Sequence, residues 1–462
     1  MGASVLLTAC AGSTYIRPPL AVPDQWAHTG YDGNDTSSIT NGASWWQRFD
    51  DPKLDLLIDS ALARNNDLAK AALNVRESQL ISVRAGDPLQ FGPQTTLIAT
   101  GGSRLDNGAS VSNRSSSLHL GVSYTIDLWG RLARERDIAR WALEASEADR
   151  ETVRLNVIGT TADLYWRLAF FNQRVVSAEK SLSFALRTQQ LVYAQSIAGA
   201  VSALEKREAE QAVLTERSSL SQLRQAQVET RNALAVLFNS PPGSNVLEEV
   251  LGQEPQTLPG GVLPIVPEGL PAALLSHRPD LHVAELNLRQ SLANVDVVRT
   301  SYYPTLALTG SAGSISASLS DLIANPTAIL GAGLTLPFLD LNAMRLNTEI
   351  AQVQYEVSVI QFRQALYQAF ADVENALSAR AYLAEQASLQ AQNVVAAAEA
   401  ERLYAIRYRA GAVALRMWLD AQESLRTAEL LLAQTKLSQL QNLNTLYQSL
   451  GGDAAVSVQH TN

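Results

Sequence analysis

The chain has 462 residues, 46% of them hydrophobic and 18% charged, with a formal net charge of −9 and no basic block, which excludes nucleic acid as a partner. Its single cysteine, Cys10, excludes a disulfide scaffold and a cysteine-based zinc site. No run of eighteen apolar residues indicates a transmembrane helix, so a membrane role requires barrel strands or a lipid anchor.

Leu7-Thr8-Ala9-Cys10 has the aliphatic, small, small, cysteine form of a bacterial lipobox, in which the thiol accepts lipid. Residues 1–10 are expected to be the remnant of a lipoprotein signal. Residues 11–50 are expected to wrap the surface. A first repeat is predicted over 51–239, with a helix opening near Asn66-Asp67-Leu68-Ala69 and strands at about 92–103 and 116–129. Ser117 to Trp129 alternates with period two. Leu118, Leu120, Val122, Tyr124, Ile126 and Leu128 fall on one face, and His119, Gly121, Ser123, Thr125 and Asp127 on the other. From Gly130 to Ile197 there is no proline, and Val153, Val157, Thr160, Leu164, Leu168, Phe171 and Val175 step by three or four. At 1.5 Å per residue such a helix reaches roughly 100 Å. A second helix is expected to follow a hairpin tip near Gly199.

A Pro-rich linker over 240–277 precedes a second repeat at 278–452. Pro279-Asp280-Leu281-His282 lies 213 positions after Asn66-Asp67-Leu68-Ala69, and Asp340-Leu341-Asn342 lies 213 after Asp127-Leu128-Trp129. Strands are predicted at about 303–313 and 328–339, and a second tip near Gly411, 212 positions after Gly199. Residues 453–462 form a tail. Each half therefore reads helix, strand, strand, long helix, helix, an internal repeat. Both inter-strand loops, 104–116 and 313–327, are rich in Ser, Asn and Gly, as extracellular loops would be.

Strands of 9–11 residues suffice to cross a bilayer when tilted. Four are too few to close a barrel, and lipid does not tolerate an open edge, so several chains would have to pool theirs. No catalytic constellation emerges. His277 and His282 are off the i,i+4 spacing of a shared helix face, and Gly331-Ala332-Gly333 lacks the third glycine of a dinucleotide site. The chain is expected to be no enzyme, with no cofactor and no metal.

Paired strands joined to very long helical hairpins in two copies resemble the TolC-like outer-membrane efflux proteins. The resemblance sharpens to the lipoprotein branch serving multidrug pumps through "WWQRFDDPKLDLLIDSALARNNDL" from Trp45, "LPAALLSHRPDLHVAELNLRQSLANVDVVRTSYYPTLALTGSAG" from Leu270, "YTIDLWGRLARE" and "RYRAGAVALRMWLDAQESL". Where that family often has a glycine pair after the second strand pair, Leu341-Asn342 follows Asp340, so that turn is expected to differ.

The resemblance implies a mixed α and β membrane protein: a homotrimer with a 12-stranded outer-membrane β-barrel, four strands per chain, continued by a long periplasmic α-helical barrel. The linker would belt the helices. Cys10 would carry lipid in the outer membrane of a Gram-negative bacterium. The function implied is passive exit from a tripartite efflux pump, fed by a periplasmic adaptor and an inner-membrane transporter of the resistance-nodulation-division type. The alternatives are a type I protein-secretion channel or a coiled-coil envelope protein without a pore. The tips Gly199, Ala200, Val201, Gly411, Ala412 and Val413 would dock the adaptor. A periplasmic gate would involve Asp420, with Met417 at a position that is acidic in relatives, and Arg416. An arginine N-terminal to its aspartate is the weaker intrahelical orientation, so Arg416 is expected to reach a neighbouring helix.

Overall fold

The computed structural model describes residues 12–19, 21–28, 44–103, 110–264, 277–316 and 326–452. Cys10, the tail 453–462 and part of the linker lie outside these. Among the described residues the helices are α1 (Pro52–Arg64), α2 (Asn66–Arg84), α3 (Arg131–Ile197), α4 (Ala203–Leu237), α5 (Val246–Leu251), α6 (Pro279–Ser301), α7 (Leu341–Arg409) and α8 (Leu415–Ser449). The strands are β1 (Leu89–Ser103), β2 (Ser110–Ile126), β3 (Thr305–Ser316) and β4 (Pro326–Thr335). Helices α3 and α7 run 67 and 69 residues.

The chain divides into two compact units. The first holds residues up to Leu20, Asn74–Ala148 and His282–Gln364, and with them all four strands. The sheet is antiparallel in the order β1-β2-β3-β4. Its register sorts side chains into rows. Leu120, Ala312 and Ala328 are partners across β2, β3 and β4, as are Val122, Gly310 and Leu330, then Tyr124, Leu308 and Ala332. The intervening rows are Gly121, Ser311 and Ile329, then Ser123, Thr309 and Gly331, then Thr125, Ala307 and Gly333. Because alternate residues face opposite sides, one face is apolar and the other is mostly Gly, Ser and Thr. The apolar face is open: Leu120, Val122, Tyr124, Leu308, Leu330 and Leu334 are all exposed.

Several strand limits differ from expectation. β2 starts at Ser110, and β3 runs on to Ser316, through residues read above as loop. Ladder bonds are made by backbone, so polar arms such as Ser103 opposite Ser110 pair as well as apolar ones. β2 stops at Ile126, not 129, because Asp127 turns to accept from the Ala133 N–H at 2.9 Å and Gly130 takes a positive φ of 74° before α3. β4 stops at Thr335, not 339, because Pro337 has no N–H to give and opens a 3₁₀ turn over Pro337–Leu339. Asp340 then accepts the Ala343 N–H at 2.9 Å as an N-cap. Both strand-to-helix turns thus use an aspartate to accept a first-turn N–H, and they differ in the positive-φ glycine of the first and the proline of the second.

The second unit comprises Ala21–Leu73, Asp149–Leu281 and Ala365 onward. Its core joins aliphatic side chains such as Leu54, Leu57, Ile58 and Leu446 to a cluster of rings. Trp45 stacks on Tyr447 at 4.9 Å, and Phe49 packs on Trp166 at 4.9 Å. The segment before residue 50 is therefore not merely a surface wrap, since Trp26, Trp45 and Trp46 are buried. Indole rings carry enough apolar area to pull an irregular segment inward. Trp26 meets Phe370 edge-on at 6.2 Å, and the neighbouring His28 pairs with Glu374.

The linker is tied down as well. Val246 and Leu247 of α5 are buried. Glu254 takes a two-pronged contact from Arg231 at 2.7 and 2.8 Å, and Asn172 donates to Glu254 and to the Pro255 carbonyl. Burial alone would raise the Glu254 carboxyl, but Arg231 and Asn172 outweigh it and hold it below its ordinary value. A carboxyl depressed on folding stabilises above its unfolded pKa, and that contribution is lost as pH falls through the folded value. Proteolysis of the linker is therefore expected to accelerate as pH drops below about 4.5, the ordinary value. Glu254→Gln should be cleaved faster already at neutral pH and gain little more on acidification; a variant cleaved like the parent at pH 7 would remove Glu254 as the tie.

Candidate functional site

The two hairpin tips share one backbone design. At the end of α3, the Gly199 N–H donates to Ser196 O at 3.1 Å and the Ala200 N–H to Gln195 O at 2.9 Å. At the end of α7, Gly411 donates to Tyr408 O and Ala412 to Arg407 O, both at 2.9 Å. Both are Schellman motifs, and both glycines sit at a φ of 72°. A side chain there would find open space but a strained backbone, at about 1–2 kcal/mol. Gly199, Ala200, Gly411 and Ala412 are exposed, while Val201 and Val413 are half-buried.

The helices that leave the tips begin differently. Helix α4 starts with a capping box, Ser202 with Glu205, and Glu205 Oε2 accepts the Ser202 N–H at 2.6 Å. Helix α8 has Ala414 at its N-cap, with no side-chain cap, and its first turn carries no acid. It carries Arg416 instead, a cation at the positive end of the helix dipole. What holds α8 is packing. Leu415 is fully buried and Trp418 nearly so, in a cluster with Val192, Ala209 and Ala405. The Trp418 ring stacks on Tyr408 at 5.2 Å and meets Phe184 edge-on at 5.5 Å. Its indole N–H donates to Glu401 at 2.8 Å, and the Tyr408 hydroxyl donates to Gln195 at 3.2 Å. The tips of both repeats thus share one core.

Sequence reasoning placed Arg416, Met417 and Asp420 together but missed that core. A signal for it existed, since Tyr408 and Trp418 bracket Gly411 in an otherwise small-residue stretch. Arg416 Nε lies 3.3 Å from Asp420 Oδ1 within α8, and Arg416 Nη1 lies 4.0 Å from Glu208 Oε1 on α4. Arg416 thus reaches a neighbouring helix, as expected, through Glu208 on α4, and it keeps the intrahelical pair with Asp420 as well. With the dipole opposing it, the guanidinium gathers both carboxylates. Arg416 and Asp420 are 67% and 60% exposed, so this contact is well solvated. Met417 is also exposed. The described residues contain no cluster able to hold a metal and no helix long and apolar enough to cross a membrane.

The model of the family described as "Outer membrane efflux protein" matches residues 57–240 and 270–452. The pyoverdine export outer membrane protein OpmQ of Pseudomonas putida is 34% identical, with 97% of this chain and 96% of that protein covered. The toluene efflux pump outer membrane protein TtgC, from another strain of Pseudomonas putida, is 30% identical over 95% of this chain and 91% of its own length. Among solved structures, the outer-membrane channel OprN superposes with a TM-score of 0.83 at 25% identity, covering 96% of this chain and 99% of OprN. The open state of the Neisseria gonorrhoeae MtrE outer membrane channel gives 0.76 at 27% identity, covering 97% and 100%.

Proposed function

We propose, from the premise that this chain belongs to the outer membrane efflux proteins, that three copies form one duct. Through it, cargo delivered by a periplasmic adaptor and an inner-membrane transporter, of the resistance-nodulation-division type, leaves the cell. The observation that carries this reading is the pair of free sheet edges. Among the described residues β1 and β4 each have one neighbour, so each has an unpaired row of backbone groups. Lipid cannot satisfy such a row, and only closure with further chains removes it. Three chains of four strands give twelve.

The helices next to those edges support the same closure. Helix α7, which follows β4, exposes Leu346, Ile350, Val353, Val357 and Ile360, a stripe stepping by four and three. Helix α2, which precedes β1, exposes Leu80 and Val83. A heptad stripe on an outward face is a coiled-coil seam awaiting a partner. We assign that partner as α2 of the next copy, so that the edge strands and the edge helices close together.

In this reading the apolar strand face meets lipid and the Gly, Ser and Thr face meets the lumen. Cys10 carries the lipid anchor. The exposed small residues at Gly199, Ala200, Gly411 and Ala412, with Val201 and Val413 beside them, dock the adaptor. The duct is passive and carries no catalytic group. Arg416 and Asp420 hold the resting gate, with Met417 as an apolar ring. Solvated pairs of this kind are worth at most about 1 kcal/mol, so Asp420→Ala and Arg416→Ala are each expected to raise open-channel occupancy up to about fivefold per chain. Single-channel recording in planar bilayers reads this directly, and unchanged conductance and open time in both variants would remove these residues from the gate.

A further inference from the structure

We infer that helix α6 carries a built binding site for the chain's own residues 12–17, and that this site fixes where the N-terminal anchor leaves the body of the protein. The anchoring half rests on the reading of Cys10 as lipid acceptor; the binding site itself does not. Asp296 of α6 is the centre. Its side chain is 2% exposed, and its two oxygens accept the Ser13 backbone N–H at 2.6 Å and the Ser13 hydroxyl at 2.8 Å. Arg299 donates to the same carboxylate at 2.5 Å, and Arg134 Nε lies 3.5 Å from it. Arg134 also donates to the Ser13 carbonyl at 3.2 Å. Every polar group of Ser13 is thus engaged, and a carboxylate that could not stay buried alone is fully partnered.

The neighbouring strap positions are read too. A Cβ on Gly12 would run into the Arg134 guanidinium, so only glycine fits without moving it. The Arg289 guanidinium sits over the Tyr15 ring, 4.9 Å from its centroid. Arg17 pairs with Glu285 at 2.5 Å, and Arg289 pairs with the same carboxylate at 2.8 Å. Glu285 is 8% exposed, so both acceptors on α6 are buried. The spacing matches. From Glu285 to Asp296 the helix rises about 16 Å, and an extended chain from residue 13 to 17 spans at most about 14 Å, which the length of Arg17 completes. The strap therefore runs antiparallel to α6, held at both ends by buried carboxylates.

Residue 10 is three peptide units from Ser13, so anything attached there stays within about 11 Å of it. Trp129 and Tyr303 line the same cavity as Gly12 and Asp296. Their rings meet edge-on at 5.3 Å, and the Trp129 indole donates to the Pro304 carbonyl at 2.8 Å, at the start of β3. Trp and Tyr favour the membrane–water interface. The clamp thus tethers the lipid-bearing end beside the point where strand becomes helix, at the level where acyl chains can enter.

Hydrogen exchange on the full-length, detergent-purified protein tests the site. The Ser13 amide, whose N–H is held by Asp296, should exchange slowly in the parent. Asp296→Ala should speed it at least tenfold while α6 stays protected, and Asp296→Asn, which keeps one oxygen acceptor, should speed it less. Full-rate exchange of Ser13 in the parent, or no change in Asp296→Ala, would overturn the site. Labelled palmitate separates the anchoring half. A label that disappears in Cys10→Ser while the strap stays protected supports both halves, whereas a protected strap on an unlabelled parent overturns the lipid reading and leaves the site standing.

Discussion

Ile350→Asp combined with Val357→Asp is expected to turn the assembled protein into folded monomers. Both residues lie on the exposed stripe of α7, 53% and 46% exposed in the single chain. In the chain alone, aspartate there costs only the few tenths of a kcal/mol that separate it from Ile or Val in helix propensity. In a closed ring the same carboxylates would be desolvated without a partner, at several kcal/mol each. Taking about 3 kcal/mol per charge, each interface loses about 6 kcal/mol, which weakens association by about four orders of magnitude. Gln352→Asp, on the other side of the helix, should leave assembly intact. Light scattering with circular dichroism checks both arms. Trimers that persist in the double variant would show that this stripe is not a seam.

Trp418→Ala is expected to have the largest effect of any single change in the tips. The ring is 4% exposed and wedged between Tyr408 and Phe184. Deleting a buried Trp costs about 3–5 kcal/mol, and Glu401 loses its indole donor. Because α8 has neither a side-chain cap nor an acid in its first turn, little else fixes its start. The start of α8 should therefore fray, and export through the protein should fall even where it still reaches the membrane. Trp418→Phe restores most of the packing without the hydrogen bond and should cost about 1 kcal/mol. The pair of variants separates packing from hydrogen bonding. Equal exchange rates at Leu415–Leu419 in Trp418→Ala and parent would show that the core does not hold the tip.

The parts of this fold that were legible in the sequence share a cause, namely local periodicity. The alternation from Ser117 and the unbroken, proline-free run from Arg131 state strand and helix without help from distant residues. The repeat showed itself through Gly199 and Gly411, which share a φ because each must close a helix in the left-handed region. What was not legible depends on contacts between residues far apart in the chain. Nothing near Ser13 announces Asp296, 283 positions away, and nothing near Trp45 announces Tyr447. The polar arms of β2 and β3 were read as loop because side-chain pattern is silent where backbone pairing alone extends a hairpin. For Arg416 the orientation rule pointed to a neighbouring helix, but which residue answers it, Glu208 on α4 at 4.0 Å, depends on packing that the local sequence does not state.

Whether one chain is a third of a closed duct is read from the protein mass of the detergent-solubilised parent, by light scattering corrected for bound detergent or by native mass spectrometry. A duct of three chains gives a single species at three times the 49.9 kDa chain mass, about 150 kDa. A monodisperse species at the mass of one chain, with the sheet edges of β1 and β4 left open, would contradict it.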